Sequence, residues 1–180
     1  LSPEDRMEVL AKDEWGYHEA VLDGVGPGAD YLFRLDQEVE RPDPASRSQP
    51  QGVHGPSRVV KLEGIGREAG WFGLPLSRYV IYELHVGTFS PEGTFSGVAA
   101  ALDRLRDLGI TAVELMPVAR FPGERNWGYD GVYPFAVQDS YGGVAGLASL
   151  VRACHERGLA LILDVVYNHL GPEGNYLREY

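Results

Sequence analysis

Three short apolar runs, residues 79–86, 111–116 and 159–166, constrain this chain more than any other feature. Helical periodicity fills the gaps between them. Residues 96–108 place Val98, Leu102 and Leu105 on one face, Thr94 or Ser96 can cap the start, and Gly109 ends the segment. Residues 144–157 place Leu147, Leu150, Val151 and Cys154 on one face and stop at Gly158. Strands separated by helices must run parallel, with right-handed crossovers. The third run is apolar on both sides, as in a parallel strand buried on both faces. The pattern predicts a β-α-β-α-β unit of the α/β class.

Polar residues interrupt these runs at definite places. Asp164 lies inside the third run, and Asn168 and His169 follow it. An acid near the end of a buried strand is costly unless it is paired or functional. In a barrel of alternating strands and helices, the C-terminal strand ends form the active-site face. The simpler reading is that Asp164 caps the next loop. Glu83 and His85 alternate with Tyr82 and Leu84 in the first run, and Glu114 lies in the second. These polar groups read as support for a site near the strand ends. The stretch 119–143 is a long loop, and such loops are functional or disordered. Its Trp127, Tyr129, Tyr133, Phe135 and Tyr141 make it too aromatic for disorder.

The first 60 residues lack helical period. Residues 15–21 and 30–35 read as two short strands around a turn with Gly24, Gly26 and Gly28. They resemble the end of a β-sandwich, a fold that takes about seven strands when complete. Residues 41–58 carry Pro42, Pro44, Pro50 and Pro56, a composition of mobile linkers and also of ordered, extended wall segments. The ordered reading is the expectation here. The net charge of −10 argues against nucleic acid or an anionic membrane as partner, and leaves a neutral substrate open. There is neither an 18-residue apolar stretch nor a secretion-signal pattern, so no spanning helix or export is expected. Cys154, the single cysteine, rules out an intrachain disulfide, reads as a small core residue and suits a reducing cytoplasm. The turn after the first run lacks G-x-G-x-x-G, which excludes a dinucleotide-binding fold. The chain starts at Leu1 without methionine, so it reads as a processed or excised segment.

The motif DVVYNH, residues 164–169, resembles the first conserved motif of the alpha-amylase family, glycoside hydrolase family 13, where it closes the third barrel strand. Residues 82–97, 110–118 and 126–143 resemble, in order, the first strand with its turn, the second strand and the loop after it. Within the family, residues 41–57 and 85–95 are most similar to the member that releases trehalose. The resemblance implies three parts. Residues 1–60 would end an immunoglobulin-like β-sandwich, 61–76 would connect, and 77–180 would form the first three βα units of a TIM (β/α)8 barrel, truncated after strand three. The remainder of the same polypeptide would complete that barrel.

The implied reaction is retaining hydrolysis of the α-1,4 bond next to the terminal trehalose of maltooligosyltrehalose. Retention needs two carboxylates about 5–5.5 Å apart. The family carries them after strands four and five, outside these residues, so the segment alone is expected to be inactive. By resemblance Tyr129 stacks on the sugar whose bond is cleaved, and Trp127 and Asp130 add stacking and hydrogen bonds. His169 donates a hydrogen bond to that sugar and stabilises charge in the transition state. Asp164, Asn168, His85 and Glu83 support the site, with Asp164 pairing to an arginine on the next strand. Tyr133, Phe135 and Tyr141 read as packing residues of the loop. Asn168 is a calcium ligand in many amylases, but the trehalose-releasing group lacks that ion. No metal and no cofactor are expected, and the partner is an α-glucan. A branching or debranching enzyme of the same family is the alternative. A non-catalytic glucan-binding module is another, and would need a complete sandwich.

Overall fold

The computed structural model describes residues 6–61 and 70–180. The amino-terminal part is a chain of short antiparallel pairs. Strands β1 (Ala11–Lys12) and β2 (His18–Glu19) form a hairpin. Its tip is an Asx turn, in which the Asp13 carboxylate accepts from the N–H of Trp15 at 2.9 Å and of Tyr17 at 2.8 Å. The strand expected over 15–21 is therefore reduced to two residues, because Trp15 belongs to the turn. Strand β3 (Asp30–Tyr31) pairs with β6 (Ser57–Arg58), and β4 (Phe33–Leu35) pairs with β5 (Val39–Arg41). The strand expected over 30–35 divides at Leu32. Its alternation persists, with Tyr31, Phe33 and Leu35 half-buried and Leu32 and Arg34 exposed.

The proline-rich stretch between β5 and β6 is folded. Ser46 and Gln49 are buried in it, and so is Ser57 where β6 begins. The Gln49 amide donates to the carbonyls of Gly52 at 3.3 Å and Gly55 at 3.1 Å. A buried amide that closes a turn on itself turns a linker-like composition into a fixed loop. Of the connector expected over 61–76, residues 62–69 lie outside the described residues. Trp71, beyond them, stacks on His155 with centroids 4.4 Å apart.

The rest of the chain is built on a parallel sheet. Strand β7 (Ile81–Leu84) ends where His85 turns the chain into the one-turn helix α1 (Val86–Phe89), shortening the strand expected over 79–86. One helix is expected next and two are present, α2 (Phe95–Ala100) and α3 (Leu102–Asp107). They are separated at Ala101, whose N–H bonds to the carbonyl of Val98. Neither glycine nor proline marks that break in the sequence. Thr94, rather than Ser96, caps α2 by accepting from the Gly97 N–H. Strand β8 (Ala112–Leu115) follows. Then, inside what reads as a loop, β9 (Ala119–Arg120) and β10 (Tyr133–Val137) form an antiparallel pair with an irregular register. Helix α4 (Gly143–Glu156) leads to β11 (Ala160–Leu163).

The sheet order is β11-β8-β7, all parallel, with Tyr82 opposite Val113 and Leu163 opposite Leu115. The Asp164 N–H makes the last ladder bond to the Leu115 carbonyl, so the third strand stops short of the 166 expected. Helices α2, α3 and α4 pack on one face. Leu84, Val98, Leu102, Leu105, Val113, Leu115, Leu150 and Cys154 form a continuous buried cluster there. Each fully buried aliphatic side chain of this kind contributes about 1.5–3 kcal/mol. Burial pushes the Cys154 thiol up to about 12, consistent with a packing role. Among the described residues no helix is long and apolar enough to cross a membrane.

Candidate active site

The site grows from the period of two in β7 and β8. Tyr82 and Leu84 pack into the helix-covered core, so Glu83 faces the other way. Its register partner on β8 is Glu114. Like charges on neighbouring strands repel, and water reaches this pair: Glu83 is exposed and Glu114 half-buried. Asp164, just past β11, adds a third carboxylate to the same end of the sheet.

A turn from the β9–β10 connection comes back across these acids. Asn126 shapes it. Its side-chain oxygen accepts from the N–H of Gly128 at 2.8 Å and of Asp130 at 3.4 Å, and its amide donates to the Asp130 carboxylate at 2.8 Å. Gly128 has φ +100°, and a Cβ there would lie 2.3 Å from the Pro117 carbonyl oxygen, so only glycine fits. His85 anchors the turn from the end of β7. Its Nε2–H donates to the Asn126 carbonyl at 2.8 Å, while Nδ1 lies 3.2 Å from the Thr88 hydroxyl that can donate to it. The neutral tautomer protonated at Nε2 satisfies both. The Trp127 ring stands edge-on to His85, with centroids 5.1 Å apart.

Tyr129 is thereby set over the acids. Its hydroxyl donates to Asp164 Oδ2 at 3.2 Å. The phenol is raised above its ordinary pKa, first by removal from water, then by the hydrogen bond and charge of Asp164, and further by the charges of Glu83 and Glu114. It stays protonated and keeps donating. His169 closes the group, with Nε2–H donating to the Tyr129 carbonyl at 2.8 Å. His85, Trp127, Tyr129, Asp130, Asp164 and His169 are thus tied together, and Glu83 acts on the group through its charge. Asn168 stands apart, on an open groove it shares with His169, Tyr167 and Asn175. Tyr129 does not line that groove.

Trp127 is 63% and Tyr129 41% exposed, so their ring faces are accessible. Tyr133 and Tyr141 are buried; the Tyr133 hydroxyl donates to the Val53 carbonyl at 2.7 Å, and Tyr141 meets the edges of Phe95 and Phe121. Phe135, expected to pack the loop, is instead 60% exposed. It lies within the irregular register of β10, whose only strand partner among the described residues is the two-residue β9. Asn126 is missing from the sequence reading, although an Asn two residues before a Gly is a turn signal. So is the Arg120–Gln138 pair under the turn. The buried Arg120 guanidinium donates to Gln138 Oε1 at 3.2 Å, and Gln138 donates to the Gly123 carbonyl at 3.0 Å. Burial lowers the Arg120 pKa, and the charge of Asp139 opposes that shift. Among the described residues no group of three or more His, Cys, Asp or Glu could hold a metal ion.

This arrangement can stack on a flat apolar surface and hydrogen-bond hydroxyls around it. Glu83 and Glu114 stand side by side and face one way. They cannot flank a bond from opposite sides.

The alpha-amylase catalytic domain model matches residues 42–180. Malto-oligosyltrehalose trehalohydrolase of Saccharolobus solfataricus is 52% identical over 168 residues, which cover 93% of this chain and 30% of the relative. The chain therefore spans about a third of the length of that curated protein. A crystal structure of a putative alpha amylase from Salmonella typhimurium matches with TM-score 0.88 and 46% identity, over 95% of this chain and 29% of that one. The GBS pullulanase SAP, in complex with maltotetraose, matches with TM-score 0.78 and 26% identity, over 93% of this chain and 29% of its own.

Proposed function

The chain belongs to the alpha-amylase family, and from that premise we propose that it is part of a glycoside hydrolase that cleaves the α-1,4 bond next to the terminal trehalose of a maltooligosyltrehalose, releasing trehalose. The carrying observation is the tied group at the strand ends: Tyr129 held over Asp164 by its hydroxyl and joined to His169 through its carbonyl. The trehalohydrolase relative, alike over 93% of this chain, supports the choice of substrate. In this reading residues 1–60 end an immunoglobulin-like sandwich, 61–76 connect, and 77–180 are the first three βα units of the barrel. The enzyme acts in the cytoplasm.

The roles follow from position. Tyr129 and Trp127 offer accessible rings for the sugar's C–H face, and Asp130 and His169 offer hydrogen bonds to its hydroxyls. His85 and Asp164 hold these groups by hydrogen bonds, Glu83 supports them through its charge, and Asn168 lines the adjoining groove beside His169. Fixing a sugar this way supplies orientation, which lowers the barrier only when a nucleophile and an acid also attend the bond. The side-by-side pair Glu83 and Glu114 cannot be those two groups, and Asp164 is engaged by Tyr129. The two carboxylates belong to the remainder of the polypeptide.

The test is product analysis. A polypeptide of the relatives' full length carrying this segment should release trehalose from maltooligosyltrehalose, with net retention. Release of linear chains from α-1,6 branch points, with no trehalose, would favour a debranching enzyme, the reading that the likeness to the pullulanase supports.

A further inference from the structure

The dipeptide Val53-His54 reaches from the amino-terminal part to both loops that carry the proposed sugar contacts. We propose that it is a positioning element: it sets the loop of Tyr129 against the loop of His169, and His54 acts through Tyr176 and Glu173. The proposal rests on the glucan reading given above.

The dipeptide sits on a built projection. Gly52, at φ +94°, precedes it, and at Gly55, which follows it, a Cβ would lie 2.7 Å from the Gln51 side chain. The buried Gln49 amide binds the carbonyls of both glycines, so the tip is closed from beneath. Such a tip presents its two central residues in one orientation.

Val53 takes hold of the aromatic loop. Its carbonyl accepts from the buried Tyr133 hydroxyl at 2.7 Å, and its side chain shares a small core with Val132, Tyr133 and Ala136. It also meets the loop after β11, where a Cβ on Gly174 would lie 2.6 Å from the Val53 side chain. His54 takes hold of that second loop directly. Nδ1 lies 2.5 Å from the Tyr176 hydroxyl, and Nε2 lies 3.3 Å from Glu173 Oε1. With the proton on Nε2, the phenol donates to Nδ1 and the ring donates to the carboxylate, so one neutral tautomer serves both bonds. Arg41 lies over Tyr176, its guanidinium 4.8 Å from the ring centre, and pairs with Glu179 at 2.6 Å.

The two loops also meet each other near the site. The His169 ring donates to the Tyr129 carbonyl, and the Gly171 N–H donates to the Gly131 carbonyl at 3.0 Å. A Cβ on Gly171 would lie 2.2 Å from the Asp130 carbonyl oxygen. The far ends of both loops are held by Val53-His54. Loosening that hold shifts more of the spacing of Tyr129 and His169 onto the near contacts, and small misplacements of a bound substrate are costly in rate.

The experiment compares the full-length polypeptide with its His54→Ala, His54→Asn and Tyr176→Phe variants. His54 is exposed, and Tyr176 is half-buried but outside both buried apolar clusters, so these changes leave the core intact. Without substrate, amide exchange over residues 126–131 and 168–176 should speed up about tenfold in His54→Ala. On maltooligosyltrehalose, kcat/KM should fall about tenfold. His54→Asn should restore most of both, because its side-chain oxygen takes the place of Nδ1. Tyr176→Phe should follow His54→Ala in direction. In a His169→Ala background, the kinetic effect of His54→Ala should largely vanish. Unchanged exchange in both segments would overturn the proposal, as would an equal loss of kcat/KM with and without His169. Faster exchange in a polypeptide that releases no trehalose would uphold the positioning element and remove the glucan reading.

Discussion

The two faces of the three-stranded sheet obey different rules. The face under α2, α3 and α4 is dry and made of interlocking apolar side chains such as Leu84, Val113 and Leu115. The other face carries Glu83, Glu114 and, past the strand end, Asp164, and it is crossed by a turn rather than covered by a helix. The first face supplies stability. The second keeps charge near water, and Tyr129 is placed over it by loop hydrogen bonds. Apolar packing and surface charge are thus divided between alternate residues of the same strands.

That division can be broken from either side. Leu115→Ala, on the covered face, should cost about 2–5 kcal/mol, read from urea unfolding, because the close-packed cluster cannot collapse to fill the gap. A loss below about 1 kcal/mol would mean that the core is looser than its burial implies. Tyr129→Ala, on the open side, should lower kcat/KM on maltooligosyltrehalose about a hundredfold in the full-length polypeptide, with little change in stability. Wild-type kcat/KM would remove Tyr129 from the site. Glu83→Gln should change stability least, with a gain of about 0.2–1 kcal/mol as repulsion with Glu114 is relieved. A clear loss would show that the pair is held by partners of its own.

The alkaline range distinguishes the faces more finely. Burial pushes Tyr141, in the covered core, up to about 12. A phenol raised in the folded state stabilises the fold fully below its unfolded pKa, near 10, and that contribution is lost as pH rises through the folded value. Stability should therefore hold level through neutral pH and decline above about pH 10, as followed by circular dichroism. Tyr141→Phe should flatten that decline more than Tyr129→Phe does. The reverse order would place the heavier burial on the open side.

The covered face was legible from sequence because burial imposes a period. Val98, Leu102, Leu105, Leu150 and Cys154 announce themselves by spacing, and the three strands follow, trimmed by a residue or more at their ends. The tied group was legible only through the motif resemblance. No period relates Tyr129 to Asp164, 35 residues away, or His85 to the Asn126 carbonyl, and loop hydrogen bonds leave no regular trace. The break at Ala101 and the exposure of Phe135 escaped for the same reason, since both arise from local geometry rather than residue type. The proline-rich stretch shows the converse. Its composition suits a linker, and one buried glutamine, Gln49, makes it a fixed loop.

The most direct measurement concerns what these strand ends do and do not supply. Residues 1–180 should be expressed alone and assayed for trehalose release from maltooligosyltrehalose, beside a polypeptide of the relatives' full length that carries the same segment. Tyr129, Trp127 and His169, the proposed sugar contacts, are present in both. A bond-breaking pair of carboxylates is expected only in the longer one. Trehalose release by the long polypeptide and none by residues 1–180 is the expected result. Release by residues 1–180 at even about a thousandth of the longer polypeptide's rate would contradict it, because positioning alone does not break a glycosidic bond. The nucleophile and acid would then have to be sought among Glu83, Glu114 and Asp164.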